Sequence, residues 1–189
     1  MHTDASLLAF GLSFLAAHRG GPQLLIGHLS AKLGRSSGLV LIALLTSLAT
    51  SALAAFAGAW LSSGFIGFER AMIAALALAL AAALLAQGKS PQLPREPTRS
   101  FGAIALALTA KQAIDPPRLV IFASAAALAS PWHALAGGAF ATALSLLLGW
   151  ALAERVSRTA NWRWLRFVVA AALLVLGGLI AWTGYISSP

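Results

Sequence analysis

The chain has 189 residues, 59% hydrophobic and only 10% charged, and stretches such as 38–61 and 71–86 carry no ionisable side chain at all. This composition excludes an ordinary soluble domain, and the lack of any cysteine excludes disulfides, thiolate metal sites and a cysteine nucleophile. A net charge of +8 would point to nucleic acid in a soluble chain, but in a bilayer protein the placement of the basic residues is what matters, and no nucleic-acid partner is expected.

A hydrocarbon core about 30 Å thick is crossed by about 20 helical residues. Alternating strands divided by polar turns are missing, so the reading is an all-α integral membrane protein rather than a barrel. Hydropathy predicts six transmembrane helices, over 5–31, 37–61, 69–86, 101–129, 132–154 and 164–185.

The first apolar run follows Asp4 rather than a basic segment, so it is expected to be a span and not a signal peptide. It contains His18, Arg19, Gly20, Gly21, Pro22 and Gln23, a cluster that interrupts the helix pattern. The second span carries Thr46, Ser47, Thr50 and Ser51, whose spacing of four places hydroxyls along one side. After the third span, "QGKSPQLPREPTRS" (87–100) has three prolines and mixed charge and is the natural midpoint. The fourth span holds "KQAIDPPRLV" (111–120), and the fifth holds Thr142 and Ser145 in the stretch comparable to the hydroxyls of the second. Trp132, Trp162, Trp164 and Trp182 fall at predicted span ends, where indole rings anchor at interfaces.

Basic residues sort by connection: Lys32 and Arg35 in the first, Lys89, Arg95 and Arg99 in the third, Arg155, Arg158, Arg163 and Arg166 in the fifth. The positive-inside bias then places the odd connections in the cytoplasm and both termini on the opposite side of a cell (inner) membrane. Three spans per half give two inverted repeats, 1–95 and 96–189, within one membrane domain. A shift of 95 residues lays Pro22 on Pro117, Leu24 on Leu119 and Ile26 on Ile121. The first and fourth spans are also the longest, so a break or strong tilt is expected in each. Paired interrupted helices in two inverted halves point to a transporter's midplane site, and charge at that depth survives only beside protein or water.

On these residues the chain resembles the Gdt family of calcium and manganese cation/proton exchangers, built as two inverted three-span repeats. That family carries a Glu-x-Gly-Asp-(Lys/Arg)-(Ser/Thr) motif, usually followed by glutamine, in the first span of each half. Position by position, "LAAHRGGPQLL" has Ala17 for the first glutamate, Gly20 for the aspartate and Gln23 for the following glutamine. In "AKQAIDPPRLV", Gln112 stands in the glutamate's place, Asp115 matches the aspartate, and Pro116, Pro117 and Arg118 replace the basic, hydroxyl and glutamine positions. The resemblance implies a divalent-cation/proton antiporter with Asp115 as metal ligand. Hard dications bind through six or more oxygens, however, and Arg19, Lys111 and Arg118 fall near the same depth as that one acid.

The transport-site candidates are therefore Asp115, Gln112, Gln23, Arg19, Arg118, His18 and Lys111, with Thr46, Thr50, Thr142 and Ser145 lining a path. Each has a structural reading beside the functional one. Asp-Pro-Pro suits a helix N-cap, Lys111 four residues earlier suits pairing with Asp115, the arginines suit exposed carbonyls at broken turns, and small hydroxyl residues suit close helix packing. The expected function is transport of a small ion across a lipid bilayer without a cofactor. The alternatives are export of an anion or small acid, or a non-transporting subunit needing a homologous partner or a second copy. No nucleophile or protease motif marks an enzyme.

Overall fold

The computed structural model describes residues 2–18, 20–34, 36–87, 100–152 and 163–187. All regular structure among them is helical, in the order α1 (His2–Ala17), α2 (Gly21–Leu33), α3 (Ser37–Ser62), α4 (Phe68–Gln87), α5 (Phe101–Ala113), α6 (Pro116–Leu128), α7 (Pro131–Leu152) and α8 (Arg163–Ile186). Four of these, α3, α4, α7 and the Trp164–Ile186 part of α8, are long and apolar enough to cross a bilayer. They fit a multi-pass membrane protein.

Both of the longest apolar stretches are broken. Between α1 and α2 the chain turns through His18 to Gly20, whose φ of −66° and ψ of 164° are extended, and Pro22 then sits in the first turn of α2. Between α5 and α6, Ile114 leaves the helical region and Asp115 is extended, at φ −97° and ψ 140°. Proline explains the second break, because the ring of Pro116 crowds the preceding residue out of helical geometry while its own fixed φ suits a first helical position.

The two breaks share a register. Shifted by the 95 residues that separate Ser47 from Thr142, Gly21 falls on Pro116 and Leu33 on Leu128, so α2 and α6, each of 13 residues, begin and end at matching positions. The next residue has positive φ in both, 86° at Gly34 and 49° at Ala129. Glycine accepts this without a steric penalty, whereas alanine there is uncommon. Packing follows the same pairing: α1 lies on α7 as α5 lies on α3, and α2 on α7 as α6 on α3.

Small residues let these helices approach closely. A Cβ at Gly149 of α7 would lie 2.6 Å from the Gln23 carbonyl oxygen of α2. Gly58 of α3 meets the backbone of Phe122 in α6, and Gly137 of α7 meets that of Ser6 in α1, in the same way. One apolar cluster joins α4, α6 and α8 through Leu78, Val120 and Leu173, and a second joins α2, α3, α5 and α7 through Ile26, Leu39, Leu108 and Leu146. The outer surface is the reverse of a soluble protein's, with Leu53 72% and Leu106 73% exposed, as lipid contact requires. Trp60, Trp132, Trp164 and Trp182 are exposed near helix ends, while Trp162 lies outside the described residues.

Candidate functional site

The breaks bring the N-cap positions of α2 and α6 together. A Cβ built on Gly20 would stand 3.7 Å from Oδ1 of Asp115, so the N-cap positions of the two half-helices face each other. Each such terminus presents the positive end of a helix dipole; at α6 no backbone N–H is left over, since Pro116 and Pro117 carry none and the Arg118 and Leu119 N–H groups bond the Asp115 carbonyl at 2.9 and 3.4 Å. Gly20 contributes no side chain, and the Asp115 side chain makes no cap hydrogen bond to α6. The expectation that Asp115 caps its own helix is therefore corrected: it occupies the N-cap position in the backbone, but its carboxylate does not bond the α6 amides.

Arg118, in the first turn of α6, is 4% exposed. Its Nε donates to Thr50 Oγ1 at 3.1 Å, and its Nη2 donates to Thr50 Oγ1 at 3.0 Å, to Ser47 Oγ at 2.8 Å and to the Ser47 carbonyl at 3.3 Å. Ser47 Oγ passes a hydrogen bond to Thr142 Oγ1 at 3.1 Å, and Thr142 donates to the Gly138 carbonyl at 3.0 Å. A buried cation thus heads an ordered donor chain through α3 into α7, in which each bond polarises the next. Three acceptors, Gln112 Oε1 at 3.1 Å, the Thr46 carbonyl at 2.9 Å and the Ser47 carbonyl at 3.2 Å, lie within reach of the Thr50 hydroxyl. With one proton, Thr50 serves them in alternation.

Gln112, in the last turn of α5, is fully buried, and its Nε2 has no hydrogen-bond partner. Asp115 is buried as well. The charge acting on its carboxylate is that of Arg118, and among the described residues no ion pair within 4.0 Å joins Asp115 to Arg118 or to Lys111. The expected Lys111–Asp115 pair is accordingly not formed; Lys111 is half-buried in the last turn of α5 with an interaction of its own.

Of the other candidates, Ser145 of α7 donates at 3.2 Å to the Ala17 carbonyl, which also accepts from the Gly20 N–H at 3.0 Å where α1 ends. Gln23 is buried in the first turn of α2 against Gly149. His18 is half-buried in the turn after α1, and Arg19 lies outside the described residues. Thr46 folds back onto the Ile42 and Ala43 carbonyls of its own helix at 2.9 and 3.1 Å, away from the Arg118 cluster. Ser47 takes the place that spacing alone gave to Thr46. The available signal was the shift of 95, which carries Ser47 onto Thr142 and Thr50 onto Ser145.

Chemically, the site offers one buried carboxylate, one buried guanidinium, an amide donor and two helix N-termini. No group of three or more His, Asp or Glu side chains able to hold a metal occurs among the described residues. No protein-family profile, curated protein or solved structure matches the chain.

Proposed function

We propose that the protein is a membrane carrier that exposes the site between α2 and α6 alternately to the two sides of a cell (inner) membrane. In this reading α1–α2 and α5–α6 are two broken spans, and with α3, α4, α7 and α8 they make six, arranged as inverted repeats of the kind the Gdt resemblance implies. The observation that carries the proposal is the meeting of the two half-helix N-caps, Gly20 and Asp115, beside buried Arg118. Discontinuous helices that turn their N-termini to a common point are how carriers hold solute within the bilayer. The matched bounds of α2 and α6, and the equivalent packing of α1 on α7 and α5 on α3, support the repeat.

The donor set favours a solute that carries a carboxylate group over a dication. Asp115 and Arg118 cancel formally, and two helix N-termini add roughly half a charge each, which leaves a local surplus near +1 that attracts a carboxylate group and repels a dication. Dehydrating calcium or manganese calls for several oxygen ligands, and among the described residues a single buried acid, Asp115, faces this site.

The lack of native cysteines makes the test direct. In membrane vesicles of both orientations, Ser145→Cys is expected to react with a bilayer-impermeant thiol reagent added from either side, while lipid-facing Leu106→Cys reacts from neither. Failure of Ser145→Cys to react from either side would leave a non-transporting subunit as the reading.

A further inference from the structure

We infer that the solute is a small zwitterion, an α-amino acid with little or no side chain, held by its carboxylate against Gln112 and Arg118 and by its ammonium against Asp115. The inference rests on the carrier reading above and names its substrate.

The unpaired groups at the break have both signs. On the donor side, Gln112 Nε2 is fully buried without a partner, and Nη1 of Arg118 makes no hydrogen bond among the described residues, since Nε and Nη2 take the contacts to Ser47 and Thr50. The positive ends of the α2 and α6 helix dipoles add to this side. On the acceptor side stands Asp115, buried, free of any bond to its own helix, and not joined to Arg118 by an ion pair.

Buried polar groups in a folded protein are normally satisfied, so the chemistry of whatever enters is set by all three groups together. A simple anion satisfies Gln112 and Arg118 but sets a second negative charge beside Asp115. A simple cation satisfies Asp115 and leaves the amide and guanidinium as they were, next to two positive helix ends. A carboxylate and an ammonium on adjacent carbon atoms satisfy both sides and keep the total charge unchanged. Size follows from packing. Gln112, Pro117, Ser47 and Thr142 all rank among the most completely buried side chains, and a Cβ added at Gly20 would already be in van der Waals contact with Asp115 at 3.7 Å, so the inference is confined to a small solute.

Glycine, acetate and methylammonium separate the three charge types at nearly constant size. In isothermal titration of the purified full chain in detergent, glycine is expected to bind at least about tenfold more tightly than acetate or methylammonium, each of which forfeits a charge-assisted contact. Manganese is expected to give no heat of binding, and leucine to bind more weakly than glycine. Asp115→Asn and Gln112→Leu should each weaken glycine about tenfold or more, with circular dichroism confirming helical content. Acetate equal to glycine, tight methylammonium or manganese, or no glycine binding to the wild-type chain would each overturn the inference, and none of these depends on a variant folding. Glycine that binds but shows no counterflow in proteoliposomes leaves the zwitterion site standing and removes the carrier reading instead.

Discussion

Gly149→Ala puts the meeting of α7 and α2 under direct strain. The added Cβ would lie 2.6 Å from the Gln23 carbonyl oxygen and 2.9 Å from Gln23 Cγ. The side chain can swing away, but the carbonyl belongs to the first turn of α2 and can move only with it. Restoring an ordinary 3.4 Å contact requires α2 to retreat by about 0.8 Å, and overpacking of this kind costs about 1–3 kcal/mol. The upper end applies because the obstacle is backbone. Alanine returns about 1 kcal/mol through its helix propensity, leaving a net loss of about 2 kcal/mol. Gly178→Ala in α8, with nothing within 4 Å of its Cβ, gains the propensity term alone and is the control. Thermal unfolding in detergent, followed by far-UV circular dichroism, should place Gly149→Ala about 4–8 °C below wild type and Gly178→Ala at or above it. If Gly149→Ala matched Gly178→Ala, α7 and α2 would not be this close and the position of Gln23 would be wrong.

Three further substitutions probe the buried polar cluster. Arg118→Met should destabilise the fold by about 3 kcal/mol, because it removes the charge-assisted hydrogen bonds to Ser47 and Thr50 together with the positive charge acting on buried Asp115, and adding Asp115→Asn should recover part of that loss in the same unfolding assay; a single variant as stable as wild type would show that Arg118 is not buried as described. Gln112→Leu should raise stability by about 1–3 kcal/mol, the cost of an unpartnered buried donor, since Thr50 keeps the Thr46 carbonyl as acceptor at 2.9 Å. A loss of stability there would mean that Nε2 is satisfied. A double-mutant cycle of Ser47→Ala and Thr142→Ala should give a coupling of about 0.6–1 kcal/mol, typical of hydrogen bonds between membrane helices, against near zero for Thr46→Ala with Thr142→Ala.

Much of the helical layout was legible because bilayer thickness and hydropathy impose it: α3, α4, α7 and α8 begin and end within a few residues of the apolar runs that predict them. The breaks were legible through chemistry, as Gly-Gly-Pro and Asp-Pro-Pro cannot continue a helix without cost. Side-chain direction was not. Thr46 and Ser47 are neighbours in sequence, and which of them faces α6 depends on the rotation of α3 against its partners, set by contacts such as Gly58 on Phe122 far from either residue. The charge partner of Asp115 was misplaced for a similar reason. Spacing of four favours Lys111 only if one helix runs through both residues, and the break at Ile114 removes that geometry. The fully buried, half-satisfied Gln112 had no sequence signal beyond its place before the break.

The account stands or falls on whether the starts of α2 and α6 touch. Because the chain has no native cysteine, Gly20→Cys paired with Asp115→Cys can be oxidised in native membranes, with Ser47→Cys/Thr142→Cys, whose parent hydroxyls lie 3.1 Å apart, as a second pair. The account predicts rapid intramolecular crosslinking of both pairs, seen as a gel-mobility shift reversed by reductant. Crosslinking of the second pair alone, with residues 20 and 115 unreactive toward each other, would contradict it.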